Sequence, residues 1–291
     1  MHTIYRGELA CREIHHRGQR LVVAEQGAQV LEYQRDGEPP IIWLSEQASY
    51  QRGQSVRGGI PLCWPWFGTL ARNPEALRRQ YPMASAPAHG LVRQQPWQLV
   101  EQQQDQQRQT LVWRLAGQAD SMPLPGLTPT LSMTLDDGLT LSLDNHNHGN
   151  QSACISQALH SYFAVSDIHQ VHVYGLEDCP YVDALDDWQR HQQAGPVRFH
   201  SETDRLYLQL PTRLHIDDPL WQRRLVLESQ GSQSAVVWNP WVEKSRRLSQ
   251  FADHDWQRML CIETARVLEN ALTLGPGEHH RMAVRFVTEP L

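Results

Sequence analysis

The chain has 291 residues, 40% of them apolar, and a formal net charge of -6. That length and apolar content suffice for a substantial core, whereas the negative balance excludes a general nucleic-acid binder, whose affinity rests on a positive surface facing phosphates. No apolar run approaches the roughly 18 to 20 residues that cross a bilayer, so no membrane partner is expected.

Residues 1–6 lack the hydrophobic stretch of a signal peptide. Cys11, Cys63, Cys154, Cys179 and Cys261 are odd in number and scattered, with no Cys-x-x-Cys pair, which predicts reduced thiols in a cytoplasmic protein and no disulfide framework. The first unusual stretch is Arg57-Gly-Gly-Ile-Pro-Leu-Cys-Trp-Pro-Trp-Phe-Gly68, where glycines and prolines bracket three aromatics. It is neither regular strand nor helix. Two readings fit: a ligand loop offering the flat faces of Trp66 and Phe67 and the fork of Arg57, or a buried aromatic corner with Arg57 at the surface.

A short helix or turn is predicted over Asn73–Arg79. In His89-Gly-Leu-Val-Arg93-Gln-Gln-Pro-Trp97, a strand starting at Leu91 puts Leu91 and Arg93 on one face, free to line a cleft; an exposed turn is the plainer alternative. The Gln-rich run 101–109 reads as a polar turn or hairpin tip. Strict alternation over Thr110–Leu115, Leu131–Leu135 and Leu139–Leu143 predicts strands, the last two joined as a hairpin by Asp136-Asp137-Gly138. His146 and His148 share a strand face but have no further ligand nearby, so a polar strand end is preferred to a metal site; the pairs His15-His16 and His279-His280 are read in the same way.

Gln157-Ala-Leu-His160-Ser-Tyr-Phe163 places a titratable imidazole in an apolar, aromatic segment. Such a histidine is either a hydrogen-bonded core residue or a proton-transfer group. Further strands are predicted at 171–174, 205–210, 224–227, 235–238 and 282–286, and a short helix or turn over Lys244–Phe251. Asp204 stands near a strand end, where it can bind hydroxyls or hold an Asx-turn. Lys244, after Trp238-Asn-Pro-Trp-Val-Glu243, is a weak phosphate candidate. Glu263 is a lone carboxylate in the apolar Met259–Ala265 strand, a placement that usually implies a job or a partner. Turns of Gly, Pro, Asn and Asp separate the strands, and long helical patterns do not, so a single all-β antiparallel sandwich domain spanning 1–291 is expected.

Six segments, RGGIPLCWPWFG from Arg57, HGLVRQQPW from His89, ALHSYFAVSDI from Ala158, ETDRLY from Glu202, VVWNPWVEKS from Val236 and CIETA from Cys261, in their order and separation, resemble the aldose 1-epimerase (galactose mutarotase-like) family, in particular its glucose-6-phosphate 1-epimerase group. The resemblance covers nearly the whole chain. It implies a supersandwich fold, no metal and no cofactor, and interconversion of the anomers of a hexose 6-phosphate. It also implies His160 as general acid, Glu263 as general base, His89 and Asp204 as sugar-binding groups, and Arg57 and Arg93 for the sugar and its phosphate. Trp66 or Phe67 would stack on the apolar sugar face, and a monomer is expected. Ser121–Gly126 departs from the aromatic-rich segment the family has there. At unperturbed pKa values of about 4.3 and about 6.5, Glu263 is ionised at neutral pH and His160 can carry the proton to be donated. A non-catalytic sugar-phosphate sensor, or a glycosidase using two of Asp204, Glu243 and Glu263, stands as the alternative.

Overall fold

The computed structural model describes residues 1–83, 85–116 and 126–291. Most of the predicted strands form and run somewhat longer than their signals, whereas 171–174 pairs only over His172–Tyr174 and 205–210 lies at Thr203–Leu208. The hairpin pairs Leu127–Leu135 with Leu139–Asn147 in unbroken register around Leu135↔Leu139. On both arms every second residue is buried. These two strands lie inside an eight-stranded antiparallel sheet, which runs from His172–Tyr174 through Arg213–Asp218, Arg223–Gln230 and His279–Pro290 to the hairpin, and on to Gln109–Leu115 and Trp97–Gln104.

A second eight-stranded sheet positions the chemistry. Its order is Gln189–Gln192, Pro180–Asp183, Thr203–Leu208, Ser234–Asn239, Met259–Arg266, Gln157–Leu159 and Leu62–Cys63, with Tyr162–Ala164 also on Met259–Arg266. Tyr207, Val237, Ile262 and Leu159 face a core shared with Leu111, Trp113, Leu131 and Leu141 of the first sheet. The alternate residues Leu206, Leu208, Val236, Ala265 and Ala158 form a separate apolar patch on the opposite face. A half-buried sheet with one face in the sandwich and one turned outward follows from period-two patterning. A four-stranded N-terminal sheet over 2–35, which the sequence reading did not anticipate, and a small pair of strands, Ala153–Ile155 with Leu272–Leu274, complete the described residues.

Three local expectations are corrected. The run 101–109 is mostly ladder, and only 105–108 turns, where Asp105 Oδ1 accepts the amides of Gln107 and Arg108. The short helix or turn expected over Lys244–Phe251 is helical only at its start, in the helix Trp241–Ser245, and continues as turns. Pro240, with φ already near the helical value, precedes it, and Asn239 Oδ1 accepts the Trp241 amide at 2.9 Å. No strand starts at Leu91: the segment turns there and pairs regularly only from Trp97.

Candidate active site

The outward face of the second sheet carries two rows of side chains set by register. Leu206 pairs with Val236 and Val236 with Glu263; Asp204 pairs with Trp238 and Trp238 with Cys261. Across the other edge of Met259–Arg266, Leu159 pairs with Thr264 and Tyr162 with Cys261. The register is the same on both sides of the break between these two short strands, so His160 falls opposite Glu263. Residues two apart on a strand share a face, which puts Asp204, Trp238, Glu263, His160 and Tyr162 on one floor. All five line a cavity of about 330 Å³, together with Arg57, Phe67, His89 and Lys244.

Two loops build the wall. Gly59 lets 57–68 pass against the N-terminal sheet: a Cβ there would stand 2.2 Å from the Val30 carbonyl oxygen. Gly90, at φ +83, lets the 89–97 loop press on Trp64, whose carbonyl oxygen would lie 2.0 Å from any Cβ. The loops then lock, with the Leu91 amide donating to the Trp64 carbonyl and the His89 amide to the Gly68 carbonyl, each at 2.8 Å. His89 is thereby turned edge-on to Phe67 and to His160, with ring centroids 5.1 and 5.6 Å away.

His160 Nε2 lies 3.4 Å from Glu263 Oε1. The residues are 8% and 1% exposed, and His160 Nδ1 and Glu263 Oε2 are buried without a hydrogen-bond partner among the described residues. Burial raises the Glu263 carboxyl well above the usual range, a push reinforced by the Asp204 charge and opposed by Arg93. Burial also drives the His160 imidazole well down, helped by His89, Arg93 and Arg57. Taking both charges out of water favours the neutral pair over an ionised Glu263 beside a protonated His160. The two forms hold the same number of protons and differ by one transfer between the facing atoms. The pair is therefore a proton donor and acceptor in one unit.

His89 is held neutral, its pKa pushed down to about 3 by burial and then by Arg93 and Arg57. Its Nδ1 accepts the Gly68 amide at 3.4 Å and faces Cys63 Sγ at 3.3 Å, which leaves the remaining ring proton on Nε2 as a donor. Asp204 is pushed up to about 6 by burial, with Lys244 opposing and Glu202 and Asp183 adding to the rise. Lys244 Nζ stands 2.8 Å from Glu202 and 3.8 Å from Asp204.

A second, polar cavity of about 570 Å³ adjoins the first, lined by Arg57, Arg93, the 87–91 backbone, Ser249 and Gln250. Arg57 donates to the Ser249 carbonyl and to the Tyr162 hydroxyl, and Arg93 Nε is buried with no partner among the described residues. Neither guanidinium is held by a carboxylate among those residues. Two such groups beside one polar cavity have the chemistry to hold an anion.

Of the residues picked out from the sequence, Arg57, His89, His160, Asp204, Glu263 and Phe67 line the main cavity, while Arg93 lines the adjoining one. Trp66 does not belong. It is fully buried against Leu77 and Tyr81, with Nε1 donating to the Pro87 carbonyl, so it cannot stack on a ligand. The His146 and His148 rings lie tilted by 46° with centroids 3.6 Å apart, and no cluster of three metal-ligating side chains occurs among the described residues. Residues 121–125 lie outside the described residues. Sequence reasoning missed Tyr162 and Trp238, which period-two spacing from His160 and Val236 places on the floor. It also missed Trp188, at φ 61 on the tip of a hairpin, with Arg72 Cζ 4.8 Å from its ring.

The sequence profile of the aldose 1-epimerase family matches residues 11–287. A protein of Cenchrus ciliaris described as a "putative glucose-6-phosphate 1-epimerase" is 32% identical over 286 residues, 94% of this chain and 84% of its own length. An Escherichia coli K12 protein of the same description is 31% identical over 247 residues, 84% of this chain and 79% of its own. Among solved structures, one from Salmonella typhimurium described as a "putative mutarotase" superposes with a TM-score of 0.88 at 25% identity, covering 99% of this chain and 93% of that one.

Proposed function

Because the chain belongs to the aldose 1-epimerase family, we propose that it interconverts the α and β anomers of a D-hexose 6-phosphate, glucose 6-phosphate foremost, with residues 1–291 acting as one galactose mutarotase-like domain. The observation that carries the reading is the pair of guanidiniums without carboxylate partners among the described residues, Arg57 and Arg93, beside the His160–Glu263 pair. The descriptions of the Cenchrus and Escherichia relatives support the same substrate.

Anomer exchange opens the pyranose by removing the anomeric hydroxyl proton and protonating the ring oxygen, and recloses it on the other face after rotation about one bond. Once the pair's one proton has crossed from Glu263 to His160, Glu263 is the base and His160 the acid, and the roles exchange on reclosure. The anomeric proton goes to Glu263 as the pair's own proton leaves His160 for the ring oxygen, so the pair again holds one proton when the ring is open. No redox or carbanion step arises, so the chemistry needs no cofactor. His89, donating through Nε2, and Asp204, accepting, hold sugar hydroxyls, and Phe67 offers its ring to the apolar sugar face. Arg57 and Arg93 grip the phosphate by charge-assisted hydrogen bonds and so fix the ring over the pair.

Arg57→Ala or Arg93→Ala is expected to raise KM for glucose 6-phosphate about 10- to 100-fold, the loss of a hydrogen bond to a charged group, with a smaller change on unphosphorylated glucose. Steady-state kinetics on both sugars checks this, and equal handling of both by the native protein would sink the phosphate assignment. Asp204 accepts from hydroxyls most strongly when ionised, through both oxygens, and its pKa is raised to about 6. KM is therefore expected to rise as pH falls through that value, and Asp204→Asn is expected to remove the dependence. A native KM that stays flat between about pH 5 and about pH 7 contradicts the role.

A further inference from the structure

Tyr162 takes part in neither proton transfer in the scheme above, yet it is placed where both halves of the site meet. The two cavities share four lining side chains, Arg57, His89, His160 and Tyr162. The Tyr162 ring lies almost parallel to the His160 imidazole, with centroids 4.8 Å apart and planes 7° from coplanar. Trp43 stacks at 5.8 Å and Trp238 meets the tyrosine edge-on at 6.0 Å, so the ring is braced beyond His160 as well. Its backbone is tied on both sides, donating to the Gly59 carbonyl and accepting from the Trp43 amide.

Packing alone would be served by phenylalanine, since a buried tyrosine hydroxyl needs a partner. Among the described residues that partner is Arg57, whose Nη1 donates to the hydroxyl at 3.3 Å. Tyr162 therefore touches the anion-binding guanidinium with its hydroxyl and the proton-transferring imidazole with its face. Burial keeps the phenol protonated, so the hydroxyl can accept from Arg57 and still offer its own proton to the cavity.

We propose that Tyr162 is a positioning residue that ties the grip on the substrate's anionic end to the orientation of His160. The inference rests on the function proposed above. A guanidinium held by the tyrosine is preset for the anion, and an imidazole held flat against the same ring keeps Nε2 directed at Glu263. An error of about 1 Å in such a group can cost roughly 10²-fold in rate, so the two contacts have separable consequences.

Tyr162→Phe keeps the stack and removes the hydroxyl, whereas Tyr162→Leu removes both. Tyr162→Phe is expected to weaken inorganic phosphate binding about tenfold by titration calorimetry and to raise KM for glucose 6-phosphate similarly, the change falling mainly on KM. Tyr162→Leu is expected to lower kcat about 10²-fold in addition and to shift the imidazole nitrogen resonances of His160. Equal phosphate affinity in wild type and Tyr162→Phe overturns the coupling, whether or not the protein catalyses anomer exchange. This test stands even if Tyr162→Leu fails to fold. Wild-type protein that binds phosphate through Tyr162 but exchanges no anomers overturns the functional reading instead, so the two failures can be told apart.

Discussion

Glu263→Gln is expected to lower kcat for anomer exchange about 10²- to 10⁴-fold, the range that a positioned acid or base contributes. The substitution keeps shape and volume and leaves His160 Nε2 a facing oxygen at the position now 3.4 Å away. What it removes is the ability to take the anomeric proton. Loss of fold is not expected to accompany loss of rate, and the sign follows from linkage. Burial raises the native pKa of Glu263 above its unfolded value. A group shifted in this direction contributes stability that is fully present below the unfolded pKa, and loses it as pH rises through the native one. At neutral pH the native carboxyl is thus a cost, which an amide does not carry. Thermal unfolding of Glu263→Gln at pH 7 is expected at or above the wild-type Tm, and a Tm well below wild type would show that the carboxyl is a structural anchor.

His160→Asn is expected to reduce kcat by a similar factor, and it also reads the pH dependence. The pair works while it holds its one shared proton. The acid limb, where a second proton binds, lies below the ordinary histidine value because burial and the cations nearby depress His160. The alkaline limb, where the last proton leaves, lies above the ordinary carboxyl value because burial raises Glu263. Both shifts widen the working window, and both limbs belong to the pair rather than to either residue. Wild-type kcat is accordingly expected to stay flat across neutral pH, and His160→Asn to lack the acid limb along with most of the rate. An acid limb that persists unchanged in the variant would assign it elsewhere.

Much of the fold was legible because period two is a local signal: the 127–135 and 139–147 hairpin, the Thr203–Leu208 strand and the position of Glu263 in Met259–Arg266 can all be read without tertiary knowledge. The pairing of His160 with Glu263 is of another kind. Nothing local sets their register, and the family resemblance, not spacing, joined them. Periodicity also fails in loops rich in Pro and Gly. In Trp64-Pro-Trp66-Phe67 no repeat tells which ring turns inward; the sandwich and the 70–83 segment take Trp64 and Trp66, and only Phe67 reaches the cavity. Arg93 lies in the turn that was the plainer reading of its segment, yet it arrives beside the site because the loop is pinned to Trp64. The burial that pushes His160 down and Glu263 up has no local signal either, because only the assembled sheet face creates it.

The central claim is that the His160–Glu263 pair exchanges the anomers of a phosphorylated hexose. Saturation-transfer NMR on glucose 6-phosphate, with the α and β anomeric protons observed directly, measures this at equilibrium. Purified protein is expected to accelerate transfer between the two resonances well beyond the buffer rate, and Glu263→Gln to return it to that rate. Tight binding of glucose 6-phosphate with no acceleration of exchange would contradict the account and identify a sugar-phosphate sensor.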